Sequence, residues 1–369
     1  MLPTTSAPRR VHPGIAAALF ALLAAGCSPD TDDPTGVEGT SPAPVGSHAA
    51  VTAAAGYVVK SLGTLGGSTS AAYGINSFGG VVGSSARTTG HQHAFLWRGG
   101  VGMKDLGALA GGESEARAIN DDDIIVGYST LASGAMRAVR WQNGKITNLG
   151  SLGGQNSMAT AINDVGVIVG FSEVKNGDRH AFIWQSGVGM KDLGGLGGHS
   201  TQATGINHAG KIVGWSETAA GVRHVVSWKN GVISDLGTHG HADGVATAVN
   251  NPGQIAGTLG NAPDEFSVDE GFPFIFLSGT WTVMSTNQVF SQAEAINNAG
   301  VLVGYDADLE DPDADEDAWL RAADGTLGYL PELTANGHDQ AHGINKYGTV
   351  VGLSTSKAGG PVAVLWRKP

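Results

Sequence analysis

The chain has 369 residues, with 21 Lys and Arg against 33 Asp and Glu, a formal net charge of −12. One cysteine excludes a disulfide framework and any Cys-rich metal site, and the acidic balance argues against a nucleic-acid partner, which needs clustered Lys and Arg. Glycine is abundant at 58 residues but lacks a three-residue period, and 41% of residues are hydrophobic, so the chain is neither collagen-like nor disordered.

The first element is an address. Arg9 and Arg10 form a positive n-region, and the apolar run 15–25 is too short to span the roughly 30 Å core of a bilayer. It ends in Leu23-Ala24-Ala25-Gly26-Cys27, which resembles the lipobox of bacterial lipoproteins, where a signal peptidase cuts before a lipidated cysteine. Residues 1–26 are therefore expected to be a signal peptide and Cys27 the lipidation site. A lipid on one cysteine anchors a protein without spanning the membrane, so the expected location is extracytoplasmic. An ordinary secretory signal with a chance cysteine is the alternative. Residues 27–55 are rich in Pro, Thr, Ser, Gly and Asp and read as a flexible linker.

From residue 56 to 369 the sequence repeats. Ile-Asn, once Val-Asn, recurs at Asn76, Asn120, Asn163, Asn207, Asn250, Asn297 and Asn345, at intervals of 43 to 48 residues. A turn and an apolar run ending in Gly follow each Asn, as in VVG at 81–83 and VIVG at 167–170. Next comes an HAFLW-like segment carrying Trp97, Trp141, Trp184, Trp228 and Trp366, and then MKDLG or a relative of it. Phe276 and Arg321 take the Trp position in repeats five and six. Four short strands per repeat, punctuated by Gly, predict an all-β fold, a seven-bladed β-propeller. The segment from Tyr57 precedes the first complete repeat, and the chain ends after a third strand. An N-terminal strand completing the last blade is expected to close the ring and cover a free edge.

These repeats are similar to the HAF repeat family of bacterial extracellular proteins, named for the His-Ala-Phe seen at 93–95. The likeness covers essentially all of 57–369. The resemblance implies a secreted or surface location and a propeller, but no activity and no catalytic residues.

Repetition within one chain separates scaffold from variation. The Asn of each Ile-Asn opens an NxxG turn, with a left-handed position at Gly79 and its equivalents and at Asp123. His93, His180 and His224 recur at one position and read as structural. No nucleophile elbow, phosphate-binding loop or HExxH motif occurs.

Departures from the repeat mark candidate sites. From the IVG glycine to the Trp position is 14 residues in most repeats, but 19 in repeat five and 17 in repeat six. These longer connections share one face, the expected binding surface for a polysaccharide or protein partner. The sixth-repeat loop, 306–317, carries eight carboxylates in twelve residues. Asp306, Asp308, Asp311, Asp313 and Asp315 suit Ca²⁺, although the glycine and terminal Glu of an EF-hand are missing; a solvated acidic loop is the alternative. Three residues before each Asn stand Tyr73, Arg117, Thr160, Thr204, Thr247, Glu294 and His342, flanked almost always by Ala or Gly. Near the axis, Tyr73, Arg117, Glu294 and His342 form either a catalytic set for proton transfer beside an anion clamp or a polar channel lining. His199, His239, His241 and His338 lie in inter-repeat connections, a weaker candidate for a transition metal. Two functions are thus expected: a lipid-anchored propeller binding a glycan or protein on its loop-rich face, or a carbohydrate-active enzyme, lyase or glycosidase, at the channel mouth.

Overall fold

The computed structural model describes residues 53–260, 271–284, 290–307, 316–335 and 337–369. The lipidation candidate Cys27 and the calcium candidates Asp308, Asp311, Asp313 and Asp315 lie outside the described residues.

Runs such as Ile125–Thr130 and Met136–Gln142, rich in β-branched and aromatic residues and bounded by Gly turns, form short antiparallel strands. Twenty-eight strands and no helix are found among the described residues, so the fold is an all-β propeller. The expectation of seven separate four-stranded blades is corrected. Five four-stranded blades are present, and the remaining eight strands, from Ser157–Ile162 to Val232–Gly237, form one continuous sheet. The merger has a local cause. Strand Gly197–Ile206 is ten residues long, and Ser200 on its leading half pairs in parallel with Arg179 of the preceding repeat. The N-terminal strand Val58–Gly63 pairs with the C-terminal strand Pro361–Arg367, with Val59 opposite Trp366.

The core lies between repeats. Phe95 and Trp97 pack with Val351, Ala363 and Leu365, and Trp141 packs with Val82 and Ala94. Burial of each such side chain contributes about 1.5–3 kcal/mol. This burial couples each repeat to its neighbour. At the axis the seven Asn side chains form a closed ring of hydrogen bonds. Each Nδ2 donates to the backbone carbonyl of the next Asn, from Asn76 on Asn120 (3.1 Å) round to Asn345 on Asn76 (3.3 Å). Each Oδ1 meanwhile accepts a backbone N–H of its own turn, as with Gly80 on Asn76 at 2.8 Å. The turn is left-handed where expected, including Asp123 at φ 58°.

The recurrent histidines are scaffold. His93 Nδ1 lies 2.8 Å from Asp105, and its other ring nitrogen lies 3.1 Å from the Gly112 carbonyl. His180 with Asp192 (2.6 Å) and His224 with Asp235 (2.9 Å) repeat the pair, so the His of HAF ties to the Asp of MKDLG.

Candidate functional site

The variable position before each Asn is set apart by the backbone itself. In every repeat the register of the first strand against the second shifts around that residue, between Ala72 and Gly74, Ala116 and Ala118, Ala159 and Ala161, and so on to Ala341 and Gly343. Tyr73, Arg117, Thr160, Thr204, Thr247, Glu294 and His342 are thus bulge residues, and a bulge re-aims the side chain it carries. The conserved spacing of IVG follows from it. A Cβ on Gly127 would stand 2.0 Å from the Glu115 carbonyl oxygen, and one on Gly352 would stand 1.8 Å from that of Gln340. Only glycine lets the second strand approach the bulged one.

The threonines close the wall. Thr160 Oγ1 donates to the Ala203 carbonyl at 2.7 Å, and Thr204 Oγ1 to that of Ala246 at 2.8 Å, each reaching the next repeat. The other four bulge residues fall in consecutive repeats, and three of them, Arg117, Tyr73 and His342, meet. The Arg117 guanidinium lies 4.5 Å from the centre of the Tyr73 ring, and the Tyr73 and His342 rings are 5.4 Å apart. Arg117 Nε is 2.5 Å from Glu115 Oε1. Glu294, in the repeat before His342, feels the charge of Arg117. All four side chains are half-buried, packed among neighbouring repeats while retaining some contact with solvent.

Four further residues belong to the cluster. Glu115 pairs with Arg117. Gln292 Nε2 donates to Glu294 Oε1 at 2.5 Å, and Tyr305 Oη donates to Gln292 Oε1 at 3.0 Å, which fixes the amide and through it the carboxyl. Tyr305 also lies edge-on to His342, ring centres 6.4 Å apart. Tyr128 faces the electrostatic field of Glu115 and Arg117. Sequence reasoning missed these four. For two of them the signal is a second variable position, the residue after each IVG glycine, where Tyr128 and Tyr305 stand against Ser84, Phe171, Trp215, Thr258 and Leu353.

Crowding shifts the proton affinities. Burial pushes Glu294 from 4.5 up to about 7, opposed by Arg117 and by the Gln292 hydrogen bond. Burial, reinforced by Arg117, lowers His342 from 6.5 to about 3, so its imidazole is neutral at neutral pH. Its Nε2 is buried and has no hydrogen-bond partner among the described residues. Burial, with the Glu115 charge, raises Tyr73 to about 12, and Tyr305 and Tyr128 are also raised by burial. The cluster therefore holds one carboxyl that exchanges its proton near neutrality, one unpartnered neutral imidazole, protonated phenols and a fixed positive charge.

The other candidates do not assemble in this way. Asp306 is buried in strand Leu302–Ala307 and accepts the Tyr329 hydroxyl at 2.7 Å. His199 pairs with Asp178 (3.1 Å), His239 stacks on Trp281 (5.3 Å), His241 contacts Phe272 (4.8 Å), and His338 lies 4.0 Å from Glu316. Among the described residues no group of three or more His, Cys, Asp or Glu is arranged to hold a metal. Two shallow grooves, one beside Thr69 and Arg87 and one beside Arg137 and Lys175, lie apart from the axial set.

No family model and no curated protein matches the chain. Solved structures do. The propeller domain of the Trilobed protease from Pyrococcus furiosus aligns over 82% of this chain and 97% of its own, with TM-score 0.55 and 11% identity. Virginiamycin B lyase from Staphylococcus aureus aligns over 84% and 99%, with TM-score 0.51 and 12% identity. The acylaminoacyl peptidase of Pyrococcus horikoshii aligns over 80% of this chain and 52% of its own, with TM-score 0.52 and 13% identity. At such identity the likeness establishes the β-propeller fold alone.

Proposed function

We propose that the axial cluster is the active site of a carbohydrate-active enzyme that cleaves an anionic polysaccharide by β-elimination. The observation that carries this reading is the convergence of Glu294, poised at about 7, with Arg117, Tyr73 and an unpartnered His342. In a uronate polymer the proton beside the carboxylate is acidified when a cation pairs that carboxylate, which is the part assigned to Arg117. Ionised Glu294 takes the proton. The electron pair forms a carbon–carbon double bond as the glycosidic carbon–oxygen bond breaks, and the departing oxygen collects a proton from the Tyr73 hydroxyl. Neutral His342 offers a ring nitrogen to a sugar hydroxyl. Elimination is preferred to hydrolysis because Glu115, the second carboxylate, is already paired with Arg117. A glycosidase needs two carboxyls free to act on one bond.

The second reading is binding of a glycan or protein at the same mouth without chemistry, favoured by the polar rim of Gln292 and Gln340. Incubation with uronate-containing polysaccharides, followed by ultraviolet absorbance of the unsaturated product, separates the two. A rise that Glu294→Gln reduces about a hundredfold or more supports catalysis. Binding with no product from any such polymer leaves the binding module.

The setting of this activity is also a proposal. The charged n-region, short apolar run and Cys27 support export and lipid anchoring in bacteria, and the repeat pattern supports membership of the HAF repeat family. The acidic sixth-repeat connection is kept as a Ca²⁺ candidate.

A further inference from the structure

We propose that the hairpin face of the propeller, in the sector of Tyr57, Phe78 and Tyr347, rests on an anionic lipid surface. The proposal builds on anchoring at Cys27. Phe78 and Tyr347 are each 73% exposed at the tips of adjacent NxxG turns, which the Asn345–Asn76 hydrogen bond joins. Val101, 80% exposed on the turn after Arg98, and Val58, 48% exposed, extend the apolar surface at the same end.

Lysines accompany the aromatic rings. Lys346 Nζ stands 5.1 Å from the centre of the Tyr347 ring, and Lys368 Nζ 5.3 Å from that of Tyr57. Aromatic rings with lysines beside them suit the interface of an anionic bilayer, where rings enter the headgroup layer and ammonium groups meet phosphate. Of the acids in the adjacent turn, Asp122 is exposed, while Asp121 and Asp123 have partners. Asp121 accepts the Ser77 backbone N–H at 2.8 Å, and Asp123 is shared between Asn76 (3.1 Å) and Arg98 (2.5 Å).

The path of the chain favours lipid over a protein partner. Tyr57 Oη donates to the Gly348 carbonyl of the same turn at 2.9 Å, and Val58 pairs with Arg367, so the first strand starts at this end. Twenty-five residues separate Cys27 from Ala53, so the anchoring segment joins the propeller at this end.

The test places a polarity-sensitive label on the full, membrane-extracted protein at Phe78→Cys or, on the opposite face, at Thr89→Cys. The labelled proteins are reconstituted into phosphatidylglycerol-containing vesicles with brominated acyl chains. The expected result is a blue-shifted, bromine-quenched signal at position 78 and a water-like, unquenched signal at 89. Equal signals at the two positions, or a blue shift at 78 without bromine quenching, overturn the proposal, the latter in favour of a protein partner. A free Cys27 thiol takes a second label per chain, so failure of the anchor is read separately from failure of the face.

Discussion

Asn345 and Asn76 stand 269 positions apart in the chain, yet the side-chain amide of the first donates to the carbonyl of the second at 3.3 Å. That bond closes the axial ring. Asn345 Oδ1 also accepts the N–H groups of Tyr347 and Thr349, each at 3.0 Å, so one buried side chain satisfies its own turn and the next repeat. Asn345→Ala leaves a buried carbonyl and two N–H groups without these partners, at a cost of about 1–3 kcal/mol. The expected outcome is a lower midpoint of thermal unfolding. An unchanged midpoint would show that the ring contributes no stability.

The bulges make a sharper prediction. Gly127→Ala sets a methyl carbon 2.0 Å from the Glu115 carbonyl, and only a shift of the two paired strands relieves it. Gly90, with φ at 86° and open space around it, is the comparison. Gly90→Ala pays backbone strain of about 1–2 kcal/mol. Gly127→Ala is expected to cost more than this, about 3 kcal/mol or above, as overpacking within a strand pair does. Urea unfolding of the two variants tests the order, which a smaller loss in Gly127→Ala would reverse.

These glycines mark where the sequence was legible and where it was not. The period of Ile-Asn located the strands and the left-handed turn positions, because each follows from residues repeated at one spacing. The merger of eight strands was not legible. It rests on the single parallel pair Arg179–Ser200, which the equally long strand Gly66–Ile75 lacks, and no residue type announces that difference. Tyr73, Arg117, Glu294 and His342 stood out as variable residues among Ala and Gly, and the first, second and fourth of them pack together. Gln292 and Glu115 did not stand out, since their role exists only once a bulge places them beside Glu294 and Arg117.

The shifted groups also predict how stability depends on pH. Glu294 holds its proton to about 7 in the folded state, against 4.5 when unfolded, so it lowers stability as pH rises across that window. His342 stays neutral down to about 3 when folded but protonates near 6.5 when unfolded, so it lowers stability as pH falls from 6.5 towards 3. Between 4.5 and 6.5 the two slopes oppose each other. Removing one exposes the other. Glu294→Gln should give a protein whose unfolding free energy climbs with pH up to about 6.5, and His342→Gln one whose unfolding free energy falls with pH from 4.5 to about 7. The swing is at most about 3 kcal/mol for Glu294 and about 5 kcal/mol for His342. Denaturant unfolding at a series of pH values measures both; parallel curves for the two variants would refute the assigned shifts.

Arg117 is the charge that both groups share, and its removal has a defined sign at each. A nearby cation favours an ionised carboxyl and disfavours a charged imidazole, so Arg117 lowers the proton affinity of Glu294 and of His342 alike. In Arg117→Gln both affinities should rise, Glu294 above about 7 and His342 above about 3. A shift on the order of one pH unit is expected for a charge at this range. The freed Glu115 carboxylate adds to the effect at His342, since its counter-ion has gone. Titration of His342 by nuclear magnetic resonance reads one half of the prediction. The lower limb of the pH–rate profile reads the other, because a base that must be ionised delays its activity to higher pH as its affinity rises. A profile that moves to lower pH in Arg117→Gln, with the fold intact, would remove Glu294 from the role of base.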